Sequence, residues 1–537
     1  MELSYKGLQD RAAWEAAGVS LPAYPVEKMA QATRQAPIWV HFGSGNIFRG
    51  FIAQLQQRLL NIGAADKGII AVDTFDYDII DKIYTAFDNL TLNVTLNADA
   101  TVGCEVMAAV AEALKADARQ PEQMARLKAI FADPGLQMIS FTITEKGYAL
   151  HRPDGSLIPA AASDMEKGPD GCVHAMGIVA ALLYHRYKTC GAPLAVVSMD
   201  NCSHNGEKLL GSIQEIVRAW LEKGLVERDF VCYLTESGKV SFPWSMIDKI
   251  TPRPSEAVQK RLEEMGITGM APIVTSKHTY IAPFVNAEKP QYLVIEDDFP
   301  NGRPPLEKAG VYFGSRDVVN KSEAMKVTTC LNPLHTAMSV YGCMLGYHLI
   351  CDEMKDPDIV KLIETLGYQE GLPVVEDPGI LSPKAFIDEV VRQRLPNPFL
   401  PDTPQRIATD TSQKIPIRFG ETLKKYHAAG KDLCKLTAIP LALAGWLRYL
   451  LAVDDDLNPM ELSPDPLLEE LRGALAGIRV GDSGSCGDKL RPILSSSAIF
   501  GLNLVEAGLA PKVEELFRQE LAGAGAVRRT LHTQLFG

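Results

Sequence analysis

Apolar and polar positions in the first half of the chain fall into short blocks that predict strands followed by helices. Residues 38–40 (Ile-Trp-Val) read as a strand; a glycine turn follows, then a helical spacing of Phe51, Ile52, Leu55 and Leu59. Ile69, Ile70, Ala71 and Val72 form a second apolar run ending at Asp73. Residues 138–143 and 194–197 form two more, each leading into a polar turn. Leu90, Leu92, Val94 and Leu96 take every second position, which predicts a strand buried on one face. Alternation of this kind predicts an α/β fold, a doubly wound and mainly parallel sheet with helices on both faces. After about residue 315 the period changes. Residues 333–350, 356–366, 383–392, 433–451 and 512–521 carry helical spacing, and Ser382-Pro383 is a cap-plus-proline start. A chain of 537 residues exceeds what one core supports, so two domains are expected, 1–315 with an N-terminal leader and a mainly α-helical 316–537.

The turn after the first strand, Gly43-Ser44-Gly45-Asn46-Ile47-Phe48-Arg49-Gly50, opens the first helix. Glycines at a strand–helix junction let backbone approach a pyrophosphate at a helix N-terminus, so a Rossmann-like dinucleotide site is expected here. Its spacing departs from the usual fingerprint: Phe48 stands where the third glycine would be, and Gly50 comes two residues later. Asp73, ending the next strand, is a candidate for the ribose hydroxyls and would favour NAD over NADP, with Asp76 and Asp78 as rivals. Glu145, in the turn 142–148, lies where sheets of this class place ligands, and equally suits a solvated turn.

The segment 325–335, Met-Lys-Val-Thr-Thr-Cys-Leu-Asn-Pro-Leu-His, brings an amine, a carboxamide and an imidazole around a predicted helix start. Asn332 reads as the N-cap, Pro333 as the first helical residue, and Lys326 as lying on an extended approach. Asn201, in the polar turn 198–206, could join Asn332 in donating two N–H bonds to one substrate oxygen. A free lysine, with a pKa of about 10.4, must be tuned downward before it serves as a base at neutral pH. In the helical half Arg406, Lys414 and Arg418 form a cationic stretch suited to clamping a carboxylate or polyol.

Composition narrows the partners. The formal net charge of -12 argues against nucleic acid, whose phosphates want a basic face. No apolar run is long enough to span a bilayer, and the N-terminus lacks a basic flank followed by an apolar block, so a cytoplasmic location is expected. The ten cysteines show no C-x-x-C pair and no zinc-ligand spacing, so no metal is expected.

Together GSGNIFRGF (43–51), TITEKGY (142–148), SMDNCSHNG (198–206), FPWSMIDKITPRPS (242–255), VIEDDFPNGRP (294–304) and KVTTCLNPLH (326–335) resemble the polyol-specific long-chain dehydrogenases, the mannitol dehydrogenase family. The similarity runs from about residue 38 to at least residue 449. The resemblance implies a metal-independent, NAD(H)-dependent enzyme with an N-terminal Rossmann domain and a helical C-terminal domain. It implies cofactor contacts at Gly43, Gly45, Asn46, Ile47, Arg49, Asp73 and Glu145, Lys326 as general acid/base, Asn201 and Asn332 as oxyanion amides, and His335 as a substrate-orienting group. It also puts Asp248, Arg406 and Lys414 on the substrate side. The substrate implied is a sugar acid or polyol, with fructuronate–mannonate interconversion first and tagaturonate or an uncharged polyol as alternatives. A monomer or small homo-oligomer is expected. One departure stands out: five residues separate Lys326 from Asn332, against four in the mannitol-type pattern, so a bulge must absorb the extra one.

Overall fold

The computed structural model describes residues 1–537. It divides into two compact units, Met1–Asn97 with Thr101–Val319, and Ala98–Ala100 with Asn320–Gly537.

The first unit is organised by a six-stranded, all-parallel sheet. Its spatial order is Val110–Lys115, Ile69–Asp73, Trp39–Phe42, Met138–Phe141, Leu194–Ser198, Val240–Ser241. Counted along the chain that is third, second, first, fourth, fifth, sixth, the Rossmann order, with the chain reversing direction between first and fourth. Both faces are covered, which is why these strands read as unbroken apolar runs. Val40, Phe42, Ile139, Phe141 and Val196 feed one core with helices Pro121–Ala132, Ala175–Thr189 and Asn205–Glu222. Trp39, Ala71, Met138 and Val197 feed the other with Phe48, Phe51, Leu55 and Leu59.

A second sheet of four strands takes its hairpin from between the second and third Rossmann strands and its outer strands, Val19–Ser20 and Phe284–Glu288, from before the first and after the sixth. Its hairpin, Thr91–Leu96 and Val102–Met107, corrects one expectation. Thr91–Leu96 is not half exposed: five of its six residues are buried, because it is an interior strand, paired to Val102–Met107 and to Phe284–Glu288.

The second unit is almost entirely helical. Helices Asn332–Met344, Ala438–Tyr449 and Ala510–Glu520 pack successively, and every residue of Ala438–Tyr449 is buried. Ser382 caps Pro383–Glu389 as expected, its hydroxyl accepting from the Ala385 N–H at 3.2 Å. Several helices end sooner than their spacing predicts; 333–350 becomes Asn332–Met344 plus Ile350–Glu353, and 433–451 becomes Ala438–Tyr449 after a short turn. No helix is long and apolar enough to cross a membrane.

Candidate active site

In the first unit the candidate residues gather at the C-terminal ends of the central strands, beside the point of reversal. Gly43 follows Phe42 with φ +100°, and a Cβ there would lie 2.2 Å from the Thr142 carbonyl oxygen, so only glycine fits. A Cβ at Gly45 would meet nothing within 4 Å, which leaves that stretch of backbone open to a ligand. Gly50 supplies the close packing that Phe48 cannot: a Cβ would press on Val285 and Thr251 at 3.2 Å. The loop is braced from below by His41, whose ring nitrogens meet Ser140 Oγ at 2.7 Å and Thr142 Oγ1 at 2.8 Å, stacked on Phe48. Burial pushes this imidazole down to about 3, so it is a neutral strut.

Arg49 corrects the picture of a cation facing a ligand. It is 1% exposed, and its guanidinium donates to Ala282 O and Asn46 Oδ1, both at 2.8 Å. Its work is internal, fixing the Asn46 side chain and the helix start. Asp73 accepts from Ser44 Oγ at 2.5 Å and from the N–H groups of Phe75 and Asp76 at 2.8 Å. Its rivals are committed elsewhere: Asp76 accepts from Thr275 Oγ1 at 2.6 Å, and Asp78 from Ser276 N at 2.8 Å and Lys82 at 3.0 Å.

Asn201 follows the strand Leu194–Ser198. Its neighbour Asp200, which sequence reasoning left without a role, accepts from Ile143 N and Thr144 N at 2.9 Å and from the Tyr148 hydroxyl at 2.5 Å. Thr144 holds a left-handed φ of 65°, so this carboxylate pins a strained turn directly beside Asn201. Glu145, in the same turn, is exposed and ion-paired with Lys208. Asp248 ends the strand Ser245–Asp248 and is buried.

In the second unit Lys326 does not arrive on an extended segment. Helix Arg316–Met325 runs directly into a single π-helical turn, Lys326–Cys330, closed by the Leu331 N–H on the Lys326 carbonyl at 3.1 Å. A π turn holds one residue more than an α turn, so it absorbs the extra residue between lysine and asparagine. Val327, Thr328 and Thr329 are β-branched and favour strands, yet packing overrides that preference; the Thr328 hydroxyl is turned back onto Ala324 O at 2.7 Å. Lys326 is only 5% exposed. Leu331, not Asn332, is the N-cap residue; Asn332 is the first residue of the helix with Pro333 behind it, and its amide performs no capping.

Arg394 shares a small cavity with His335, and the charges of Arg418, Arg406 and Lys414 also act on its imidazole. Burial first, then these charges in that order, push the imidazole down to about 3. Arg418, itself lowered to about 10 by burial, donates to Thr336 Oγ1 at 2.6 Å and so grips the first turn of the helix. Lys414 donates to the carbonyls of Ile407 and Thr409, and burial lowers it as well. Arg406 pairs with Asp402 and stays exposed. Arg394, 2% exposed at the end of the π turn Val390–Arg394, lines a small cavity with His335 and Asn397. It was missed from the sequence, because no helical spacing links it to residue 335.

A cavity of about 1060 Å³ is lined by the leader, from Tyr5 to Arg34, and includes none of these residues. Among the described residues no group of three or more His, Cys, Asp or Glu is arranged to hold a metal ion.

Two family models cover the chain. The mannitol dehydrogenase Rossmann domain matches residues 37–308, and the mannitol dehydrogenase C-terminal domain matches residues 318–516. The chain belongs to the mannitol dehydrogenase family. Within this family it is 53% identical over 534 residues to a D-mannonate oxidoreductase of Thermotoga maritima, covering 99% of this chain and 98% of that one. A D-mannonate oxidoreductase of Escherichia coli is 29% identical, over 87% and 89%. The fold matches that of a D-sorbitol dehydrogenase with TM-score 0.78 at 24% identity, covering 96% and 98%. It also matches Pseudomonas fluorescens mannitol 2-dehydrogenase, solved with NAD and D-mannitol, with TM-score 0.65 at 24% identity over 100% and 99%. As a member of this dehydrogenase family the chain is an oxidoreductase of secondary alcohols.

Proposed function

We propose that this chain interconverts D-fructuronate and D-mannonate with NAD(H), using a lysine rather than a metal as its acid–base group. The observation that carries the substrate choice is the buried Arg394 in the cavity of His335, with Arg418 gripping the next residue, Thr336. The positive potential around this imidazole, strongest from the buried Arg394 beside it, suits a substrate bearing a carboxylate. The name of the Thermotoga maritima relative agrees with that reading.

The open backbone at Gly45 and the tight turn at Gly43 fit a pyrophosphate, with Asn46 and Ile47 at the helix start and Asp73, the acid that ends the next strand, as the partner of the ribose hydroxyls. A nicotinamide cofactor held by these residues would supply hydride to the ketone carbon in reduction and take it from the carbinol carbon in oxidation. In reduction, charge develops on the ketone oxygen, and the side-chain amides of Asn201 and Asn332 donate to it. Lys326 as ammonium gives that oxygen its proton; in oxidation the neutral amine removes the hydroxyl proton. His335 and Asp248 orient the remaining hydroxyls. Glu145 borders the cofactor side, and Arg49 serves the cofactor through the loop that it braces.

Initial rates with fructuronate, tagaturonate and fructose at equal NADH test the assignment. Fructuronate is expected to lead by at least tenfold in kcat/KM, about 1.4 kcal/mol. A lead for fructose overturns the carboxylate clamp, a lead for tagaturonate overturns the stereochemical choice, and NADH binding without any oxidation overturns the enzyme reading.

A further inference from the structure

Phe75 is an apolar ring left 64% exposed, two residues after the acid that closes the strand Ile69–Asp73. A single exposed ring is ordinary on a protein surface. This one, however, projects from a turn that is held from three sides. Its own N–H donates to Asp73 Oδ1 at 2.8 Å, so the turn carrying it is anchored to the end of the sheet. The two-stranded ribbon Ile273–Val274 and Tyr280–Ile281 is tied to the same turn through Thr275 Oγ1 on Asp76 at 2.6 Å and Ser276 N on Asp78 at 2.8 Å. From this ribbon Lys277 brings its ammonium to 4.9 Å from the centre of the Phe75 ring. On the remaining side the Tyr77 hydroxyl donates to Ala116 O at 2.9 Å, which ties the turn to the exit of the neighbouring strand, Val110–Lys115.

The sheet order gives this place a meaning. A dinucleotide whose pyrophosphate meets the glycine turn after the first strand runs its adenosine half across the exits of the second and third. The second is Ile69–Asp73 and the third Val110–Lys115, so that half passes the turn from which Phe75 projects. A planar base wants an apolar face, and an aromatic ring fixed by a tethered turn offers one without a large ordering cost. The contacts of Asp76 and Asp78 hold the ribbon over the turn that Asp73 anchors.

We propose that Phe75 is the platform on which the adenine of the cofactor stacks, with Lys277 steadying the ring from the ribbon. This rests on the NAD(H) reading above. Calorimetric titration of the full-length protein with NADH and with ADP-ribose tests it, for the unaltered chain, Phe75→Ala and Phe75→Trp. Phe75→Ala is expected to weaken both ligands by about tenfold or more, the order expected when a stacking ring is lost. Its thermal unfolding should match that of the unaltered chain, since an exposed ring supports no core. Phe75→Trp is expected to keep the affinity, and its added indole emission is quenched by ADP-ribose beyond any change in the unaltered chain. Phe75→Ala binding both ligands within twofold of normal overturns the platform and leaves the NAD(H) reading standing. An unaltered chain that binds neither ligand overturns both.

Discussion

Lys326 is withdrawn from solvent, 5% exposed, at the start of a π turn in the helical unit. The role proposed for it requires a proton to pass through one amine, so Lys326→Ala should lower turnover by about a hundred- to ten-thousand-fold. Steady-state rates, with circular dichroism to establish an intact fold, check this; a variant within tenfold of normal turnover removes lysine from the mechanism. His335 cannot stand in for it. Burial and the neighbouring cations push its pKa down to about 3, which favours the neutral imidazole. A neutral imidazole hydrogen-bonds a hydroxyl without carrying the proton that the reaction moves. Sequence spacing alone brings Lys326, Asn332 and His335 into adjacent turns, because local spacing determines which neighbours a helix start collects. Arg394 was not legible in that way: it reaches His335 only through tertiary packing, and a buried arginine in a helical run looks like any surface cation until folding turns it inward.

Among the elements, the π turns are the feature that periodicity could not supply. Arg49, Lys326, Arg394 and Arg418 each lie in one, at Phe48–Ile52, Lys326–Cys330, Val390–Arg394 and Pro416–Gly420. A π turn costs hydrogen-bond geometry and is kept where side chains must be re-aimed. The helix beginning at Asn332 is locked farther along by a second device. Tyr341 has one hydroxyl proton and two oxygen neighbours, Leu441 O at 2.8 Å and Glu520 Oε1 at 2.7 Å, so a protonated Glu520 completes the set. Burial pushes that carboxyl up to about 8 from its ordinary 4.5, against the pull of Tyr341 and Arg448. Between those two values the folded chain holds a proton that the unfolded chain has released, so stability declines as pH rises through the window. Glu520→Gln, a neutral mimic, should flatten the decline, with up to about 1.4 kcal/mol per pH unit at stake. Unfolding curves for both proteins at pH 5.5, 7 and 8.5 decide it; parallel slopes would mean that Glu520 is ionised in the fold. The C-terminal helices, whose sequence carries no motif, thus prove to be part of the core that supports the helix beginning at Asn332.

For the whole molecule, the parallel sheet was legible because strands buried on both faces must be apolar throughout. The four-stranded sheet was not, since its inner strand Thr91–Leu96 mimics a half-exposed one and the partner Phe284–Glu288 lies far along the chain. If the Rossmann unit takes NADH, the cofactor must stabilise the native chain by mass action. At free NADH a hundredfold above its dissociation constant the gain is about 2.7 kcal/mol, read as a rise in the thermal midpoint. No rise at saturating NADH would contradict the cofactor assignment. The surplus residue at 326–330 has a consequence for any relative or variant one residue shorter. Deleting a residue from an unbroken helix swings all that follows by about 100° around the axis. Here a one-codon loss could relax the wide turn into an ordinary one and spare that rotation. Shortening is then a change the segment can absorb, whereas lengthening it leaves no such slack, and insertion is the edit that should turn the imidazole out of phase with the amine.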